Sequence, residues 1–219
     1  MNTIRSAPRD VLIRNYDLFR TNWIRDASGE VVAIDRRFIN SGGSLMRGLE
    51  LDANLSGELA GGRWIVNLNG SYIHQFHTKA LESLPYSGNL VGRYVRYFNL
   101  PIRWKHTLNV GYTRGNWSHN LSQIHRDGYL DEPPISVANG SFIPANWRPR
   151  VDGYTTYSYS VTWTGIQNLK LGLGIKNLLD QDPPFTAHMN DFAAGAGWET
   201  RIADPRGRAY TLLVEYRFW

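Results

Sequence analysis

The sequence predicts an all-β protein: an antiparallel transmembrane β-barrel, present as about nine strands of a larger barrel and almost free of helix. Three observations lead there. Apolar and polar residues alternate with period two in segment after segment, and only a strand turns alternate side chains to opposite faces. Connections alternate in length, short near 60–62, 114–116 and 164–167 and long near 77–103, 128–149 and 180–206. Transmembrane barrels do this, with short turns on one side of the membrane and long loops on the other. The faces are also inverted relative to a soluble sheet. Trp and Tyr share the apolar faces, while the polar faces are Asn, Ser, Thr and Gly with few charges, as on an aromatic-girdled exterior and a polar lumen.

Residues 1–10 read as a polar tail broken at Ala7-Pro8, and residues 11–219 as barrel. Val11 to Arg20 is strand-like with poor alternation, Asp26 to Gly29 carries turn chemistry, and 31–40 reads as a strand. The signal then sharpens. Leu49, Leu51, Ala53 and Leu55 alternate with Glu50, Asp52, Asn54 and Ser56. A Gly-rich turn leads into Trp64, Val66, Leu68 and Tyr72, which alternate with Asn67, Asn69 and Ser71. This predicts the hairpin 45–59/62–76. The same reasoning gives 104–114/116–127 through Arg114-Gly115-Asn116, and 150–164/166–178 through a turn at Gly165. The chain closes on GRAYTLLVEYRFW, where Tyr210, Leu212, Val214, Tyr216 and Phe218 share one face.

Leu51, Val66, Leu68, Val110, Tyr159, Val161, Leu171, Leu173, Leu212, Val214 and Tyr216 are therefore expected on the lipid side. Asn67, Asn69, Asn120, Ser158, Ser160, Glu215 and Arg217 are expected opposite them.

Composition narrows the function classes. Cysteine is absent, which leaves no disulfide framework and no thiolate metal site. Of 24 basic residues only Lys79, Lys105, Lys170 and Lys176 are lysine, a scarcity that disfavours an ordinary soluble surface. The net charge of +5 is spread along the chain without a basic run, so nucleic acid is not an expected partner. No apolar run reaches the roughly 20 residues of a membrane helix. Arg5, Arg9, Asp10, Arg14, Asp17 and Arg20 leave no room for the apolar segment of a signal peptide. The sequence accordingly reads as the C-terminal part of something longer.

Catalytic and metal motifs are weak. His74 and His77, three apart on a strand, point to opposite faces and lack a supporting carboxylate cluster. Gly172 and Gly174 begin a dinucleotide-type run, but Asn177 replaces its third glycine. No nucleophile elbow or triad stands out, and neither an enzyme, a metal site nor a cofactor is expected.

Several segments resemble one family, the TonB-dependent outer-membrane receptors. SLMRGLELDANL (44–55) resembles the family's Arg-Gly-x-Glu strand entry. Asn177, Leu178 and Asp180 resemble its Asn-Leu-x-Asp segment, and DPRGRAYTLLVEYRF (204–218) its Gly-Arg final strand. The final strand also resembles the C-terminal strand of Gram-negative barrels, whose closing aromatics (here Tyr216, Phe218 and Trp219) address the chain to the barrel-assembly machinery. The resemblance implies a barrel of about 22 strands around an N-terminal plug. It also implies an outer-membrane location among lipid and lipopolysaccharide, and uptake of a scarce nutrient such as a ferric siderophore. Uptake is powered by TonB through an N-terminal region not found in this sequence, so the chain alone is not expected to transport.

Two other function classes stay open. One is a self-standing porin-like or structural barrel, since about eight strands can close; the other is a soluble carbohydrate-binding β-sandwich. For ligand contact the candidate is the connection 86–104, where aromatic and basic residues interleave at Tyr86, Arg93, Tyr94, Arg96, Tyr97 and Arg103. Rings with guanidinium groups suit anionic chelates, aromatic chelates or sugars.

Overall fold

The computed structural model describes residues 3–6, 9–94, 100–188 and 197–218. It divides into two compact units. One comprises the chain up to Arg47 with His74–Leu90; the other comprises Gly48–Ile73, Val91–Tyr94 and the chain from Leu100 onward.

The first unit holds four short strands: β1 (Thr3–Ser6), β2 (Trp23–Arg25), β3 (Val31–Ile34) and β4 (Phe38–Ser41). Strand β1 pairs antiparallel with β4, where the sequence reads as a tail, and β2 pairs with β3. Their turn is built by Asp26, whose Oδ1 accepts the N–H groups of Ser28 and Glu30. The strand expected over 31–40 breaks at Asp35, whose carboxylate accepts the Arg37 N–H instead. The strand expected at Val11–Arg20 is corrected to helix: α1 (Arg9–Arg14) is followed by a 3₁₀ turn at Tyr16–Asn22. Leu12 and Phe19, seven apart, are the buried pair, and Val11, Ile34 and Leu81 pack against them. Two short helices interrupted at Asn15 carry neither a strand period nor a sustained helical one, which explains the poor alternation.

The central element is a seven-stranded antiparallel meander. It is formed by β5 (Gly43–Leu59), β6 (Gly62–Lys79), β7 (Trp104–Arg114), β8 (Trp117–Arg126), β11 (Tyr154–Ile166), β12 (Leu169–Lys176) and β13 (Ala209–Tyr216). The order is β13-β12-β11-β8-β7-β6-β5, so sequence neighbours pair throughout. Between β8 and β11 lie β9 (Tyr129–Leu130), β10 (Arg150–Val151) and α2 (Ile135–Ala138). All three predicted strand pairs form, the first two turning at Ala60-Gly61 and around Gly115; the third turn is corrected from Gly165, which lies within β11, to Gln167-Asn168. Ala60 (φ 50°) and Gly61 (φ 74°) both have positive φ, the hand that a tight hairpin turn needs to match strand twist.

Register settles which residues share a face. Val66 pairs with Val110, Val110 with Leu121, Leu121 with Tyr159 and Tyr159 with Ile175. Val161 pairs with Leu173, and Leu173 with Leu212. One residue along, Asn67 pairs with Asn109, Asn109 with Ser122 and Ser122 with Ser158. A sandwich would cover the aliphatic face with a second sheet, yet Leu212 is 76% exposed and Val214 63%. The described sheet therefore carries no second layer over its apolar face, as expected of a partial membrane barrel and not of a sandwich core. It is also open: β5 and β13 are its edges.

The two ends of the apolar face carry aromatics and histidines. At the long-loop end Tyr72 pairs with Trp104. Nearby, the His106 ring lies 2.9 Å from Gln123 Oε1, and Gln123 Nε2 donates to the Tyr157 hydroxyl at 2.8 Å. At the short-turn end Trp64 pairs with Tyr112, and Trp117 lies against Trp163 at 6.2 Å between centroids. Amphipathic rings at both ends with aliphatics between are the girdles of a membrane strand.

Candidate functional site

The three long connections meet beyond one end of the sheet. Strands β9 and β10 pair antiparallel, and Arg93 bridges to Leu130 on the other side. The Tyr94 N–H donates to the Leu130 carbonyl at 2.7 Å, and the Leu130 N–H donates to the Gly92 carbonyl at 2.8 Å. Under this rung lies a small core of Ile102, Tyr129, Val151, Tyr154, Ile202 and Ala203. Gly128 is required here, because a Cβ would collide with the backbone of Val151 and Asp152.

The third connection starts and ends on the two segments that carried the family resemblance. Asn177, at φ 52°, folds its side chain back onto Gln181, accepting the N–H at 2.9 Å and donating to the carbonyl at 3.0 Å. Asp180 Oδ1 then accepts the Arg208 N–H at 2.8 Å, next to Gly207. The Asn-Leu-x-Asp and Gly-Arg motifs are thus two halves of one clasp that closes the base of this loop.

At the centre is His188, whose side chain is 0% exposed. Its Nδ1 lies 2.5 Å from Asp131 Oδ1 and its Nε2 3.1 Å from Glu199 Oε2. Asp131 Oδ2 also accepts from the Thr186 hydroxyl at 2.8 Å and the Ala187 N–H at 2.7 Å. Glu199 accepts from the Arg201 guanidinium at 2.8 Å. The Tyr94 ring stacks on His188 at 3.6 Å, with the Arg201 guanidinium 5.3 Å from the Tyr94 centroid. One residue of the first connection (Tyr94), one of the second (Asp131) and five of the third thereby form a single network. Buried charges persist only when paired and hydrogen-bonded, and here each carboxylate has several donors. Thr186, His188 and a carboxylate are grouped as in a nucleophile relay, but Thr186 and His188 are buried and the hydroxyl is committed to Asp131. The arrangement ties loops together.

Burial works to raise the Asp131 pKa, but His188, the Ala187 N–H and Thr186 outweigh it and hold the carboxyl below its ordinary 3.8. Burial likewise opposes ionisation of Glu199, and Arg201 and His188 outweigh it, holding it below 4.5. Burial raises the Tyr129 phenol. Because both folded carboxyl pKa values are depressed, their contribution is present in full above the ordinary values of 3.8 and 4.5. It is lost as pH falls through the lowered folded values. Hydrogen-exchange protection factors at 129–131 and 186–188 are accordingly expected to hold from neutral pH to about 5 and to fall below about 4, before those of the sheet amides do. Protection unchanged at pH 3 would contradict this.

The residues singled out from the sequence are not gathered in one place. Tyr86 belongs to the first unit, half exposed, with Lys79 Nζ 5.3 Å from its ring centroid. In the second unit, Tyr94 is the stacking platform for His188, Arg93 is exposed beside β9, and Arg103 reaches the Tyr72 hydroxyl at 3.5 Å. Arg96 and Tyr97 lie outside the described residues, as does Trp219. Tyr216 and Phe218 meet edge to face at 5.1 Å on the exposed surface of the last strand. The network residues Asp131, Thr186, His188, Glu199 and Arg201 carry no sequence motif, and only their contacts reveal them. Among the described residues no group of three or more His, Asp or Glu side chains is arranged to hold a metal ion.

Comparison with known proteins gives the chain its place. Residues 12–178 match the family model described as TonB dependent receptor-like, beta-barrel. Among solved structures, the siderophore receptor PiuA from Acinetobacter baumannii superposes with a TM-score of 0.50 at 20% identity, covering 83% of this chain. A mutant of the ferric enterobactin receptor PfeA from Pseudomonas aeruginosa superposes with a TM-score of 0.52 at 16% identity, covering 89% of this chain. The chain spans 23% and 25% of those two structures. No curated protein shows significant similarity to it. With the open meander, the uncovered apolar face and the matched barrel model together, the chain belongs to the TonB-dependent receptor β-barrel family.

Proposed function

We propose that this chain forms the C-terminal wall of an outer-membrane receptor barrel. Its tied loops help hold a ferric siderophore or similar scarce nutrient for TonB-dependent uptake. The observation that carries the reading is the union of all three long connections into one network at a single end of the sheet. A structural barrel has no need to hold its loops rigidly, whereas a receptor must present a preorganised mouth. In this reading the apolar face meets lipid and lipopolysaccharide, the closing aromatics engage the assembly machinery, and TonB acts through other parts of the receptor.

The test is complementation in cells that lack siderophore receptors. Expressed alone behind a secretion signal, residues 1–219 are expected to give no siderophore-dependent growth. Within a receptor that supplies a plug and the remaining strands, the same segment is expected to support growth that disappears when TonB is absent. TonB-dependent growth from the segment alone would overturn the proposal, and TonB-independent solute leakage would replace it with the porin-like reading.

A further inference from the structure

The second and third connections line a cavity of about 450 Å³ beside the loop network, with which it shares Asp131 and Ala187. Its volume falls in the range of small-molecule sites. Three aromatic rings line it, from Phe142 and Trp147 on the second connection and Phe185 on the third, together with the guanidinium groups of Arg148 and Arg150. Phe142 is 64% exposed and Phe185 73%, so both rings stand uncovered at the cavity.

Which charged groups are left unpaired decides what such a cavity would take. Asp131 lines it, but both of its carboxylate oxygens are held by His188, Thr186 and the Ala187 N–H. Asp152 is the other acidic residue of the lining. Asp131 and Asp152 offset the formal charge of Arg148 and Arg150, but the donors that hold Asp131 leave it little capacity for either guanidinium. Among the described residues, neither Arg148 nor Arg150 enters a salt bridge or side-chain hydrogen bond. A planar guanidinium prefers a carboxylate, which it grips with two parallel hydrogen bonds, and aromatic faces favour a flat ring. The walls are also fixed in advance. Arg150 sits in β10, paired to Leu130. Phe185 directly precedes Thr186, whose N–H donates to the Gly197 carbonyl at 2.9 Å. A preformed site loses less freedom on binding.

We propose that this cavity binds a planar aromatic carboxylate, with Arg148 and Arg150 on the carboxylate and Phe142, Trp147 and Phe185 around the ring. The assignment goes beyond the receptor reading, because it rests on the loops alone and would hold whether or not the barrel imports anything.

The test is calorimetric titration of the full chain in detergent micelles with 2-naphthoate, and separately with the neutral 2-naphthylmethanol. Naphthoate is expected to bind roughly tenfold tighter than the alcohol, as one well-placed charge-assisted contact provides. The double variant R148A/R150A is expected to erase that difference while the alcohol still binds, which shows the cavity intact. F142A/F185A is expected to weaken both probes. Equal affinity for the two probes in the native chain, no binding of naphthoate, or a naphthoate preference that survives R148A/R150A would each overturn the proposal. Growth complementation does not enter these readouts, so failure of the receptor reading and failure of this one are separately visible.

Discussion

Replacing His188 with leucine is expected to cost about 3–5 kcal/mol of loop stability, the penalty for removing one partner from a buried ion network. The substitution leaves Asp131 and Glu199 facing an apolar side chain at positions where their side chains are 2% and 4% exposed. Arg201 still serves Glu199, so the larger loss falls on Asp131, whose remaining donors are Thr186 and the Ala187 N–H. Loop amides should lose protection and trypsin should cut at Arg201 and Arg206, while strand content stays unchanged. Adding D131N and E199Q should restore much of the loss, because a neutral amide costs less than a carboxylate to leave facing an apolar side chain. A variant H188L whose loops resist trypsin as the native protein does would show that the network contributes nothing to holding them.

Val214→Arg is expected to destabilise the sheet in a bilayer by about 2–4 kcal/mol, the depth-dependent charge penalty on a lipid face. Val214 pairs with Leu171 between Tyr210 and Tyr216, and it is uncovered by any other part of the described chain. Ser160→Arg, on the opposite face between Asn120 and Gly174, should cost less than about 1 kcal/mol, because a lumen side chain can reach water. Urea unfolding in lipid vesicles gives both numbers side by side. Equal costs at the two positions would mean that the apolar face does not meet hydrocarbon.

What could be read from the sequence follows from the range of the signals. Strand alternation is local, so Leu169-to-Lys176 and Ala209-to-Tyr216 declare their faces within eight residues each. Hairpins follow from alternation plus one turn. The helical turns at Arg9–Asn22 did not show, because two short helices bury only Leu12 and Phe19 and leave no sustained period. The loop network was equally invisible. His188 meets Asp131 across 57 positions and Glu199 across 11, through segments without periodicity. Tyr94 stood out by composition, but composition could not say that its ring would support a histidine from the third loop. The cavity escaped for the same reason, as Phe142 and Phe185 come together only after both connections fold.

The two aromatic bands also set a length. On β6, Trp64 and Tyr72 stand eight residues apart (72 − 64), which is about 27 Å along a strand rising roughly 3.4 Å per residue. At a barrel tilt near 40°, that projects to about 21 Å along the membrane normal, slightly under the roughly 25 Å apolar band of outer-membrane barrels. An ordinary bilayer has a hydrocarbon core of about 30 Å and would pull the indole and phenol rings into its interior unless the lipid compressed around them. The bacterial outer membrane is thinner than average, which relieves that hydrophobic mismatch. Acyl-chain length therefore becomes a control on this protein. Vesicles of short-chain lipid should accept the sheet readily, and each added pair of methylenes should slow its insertion.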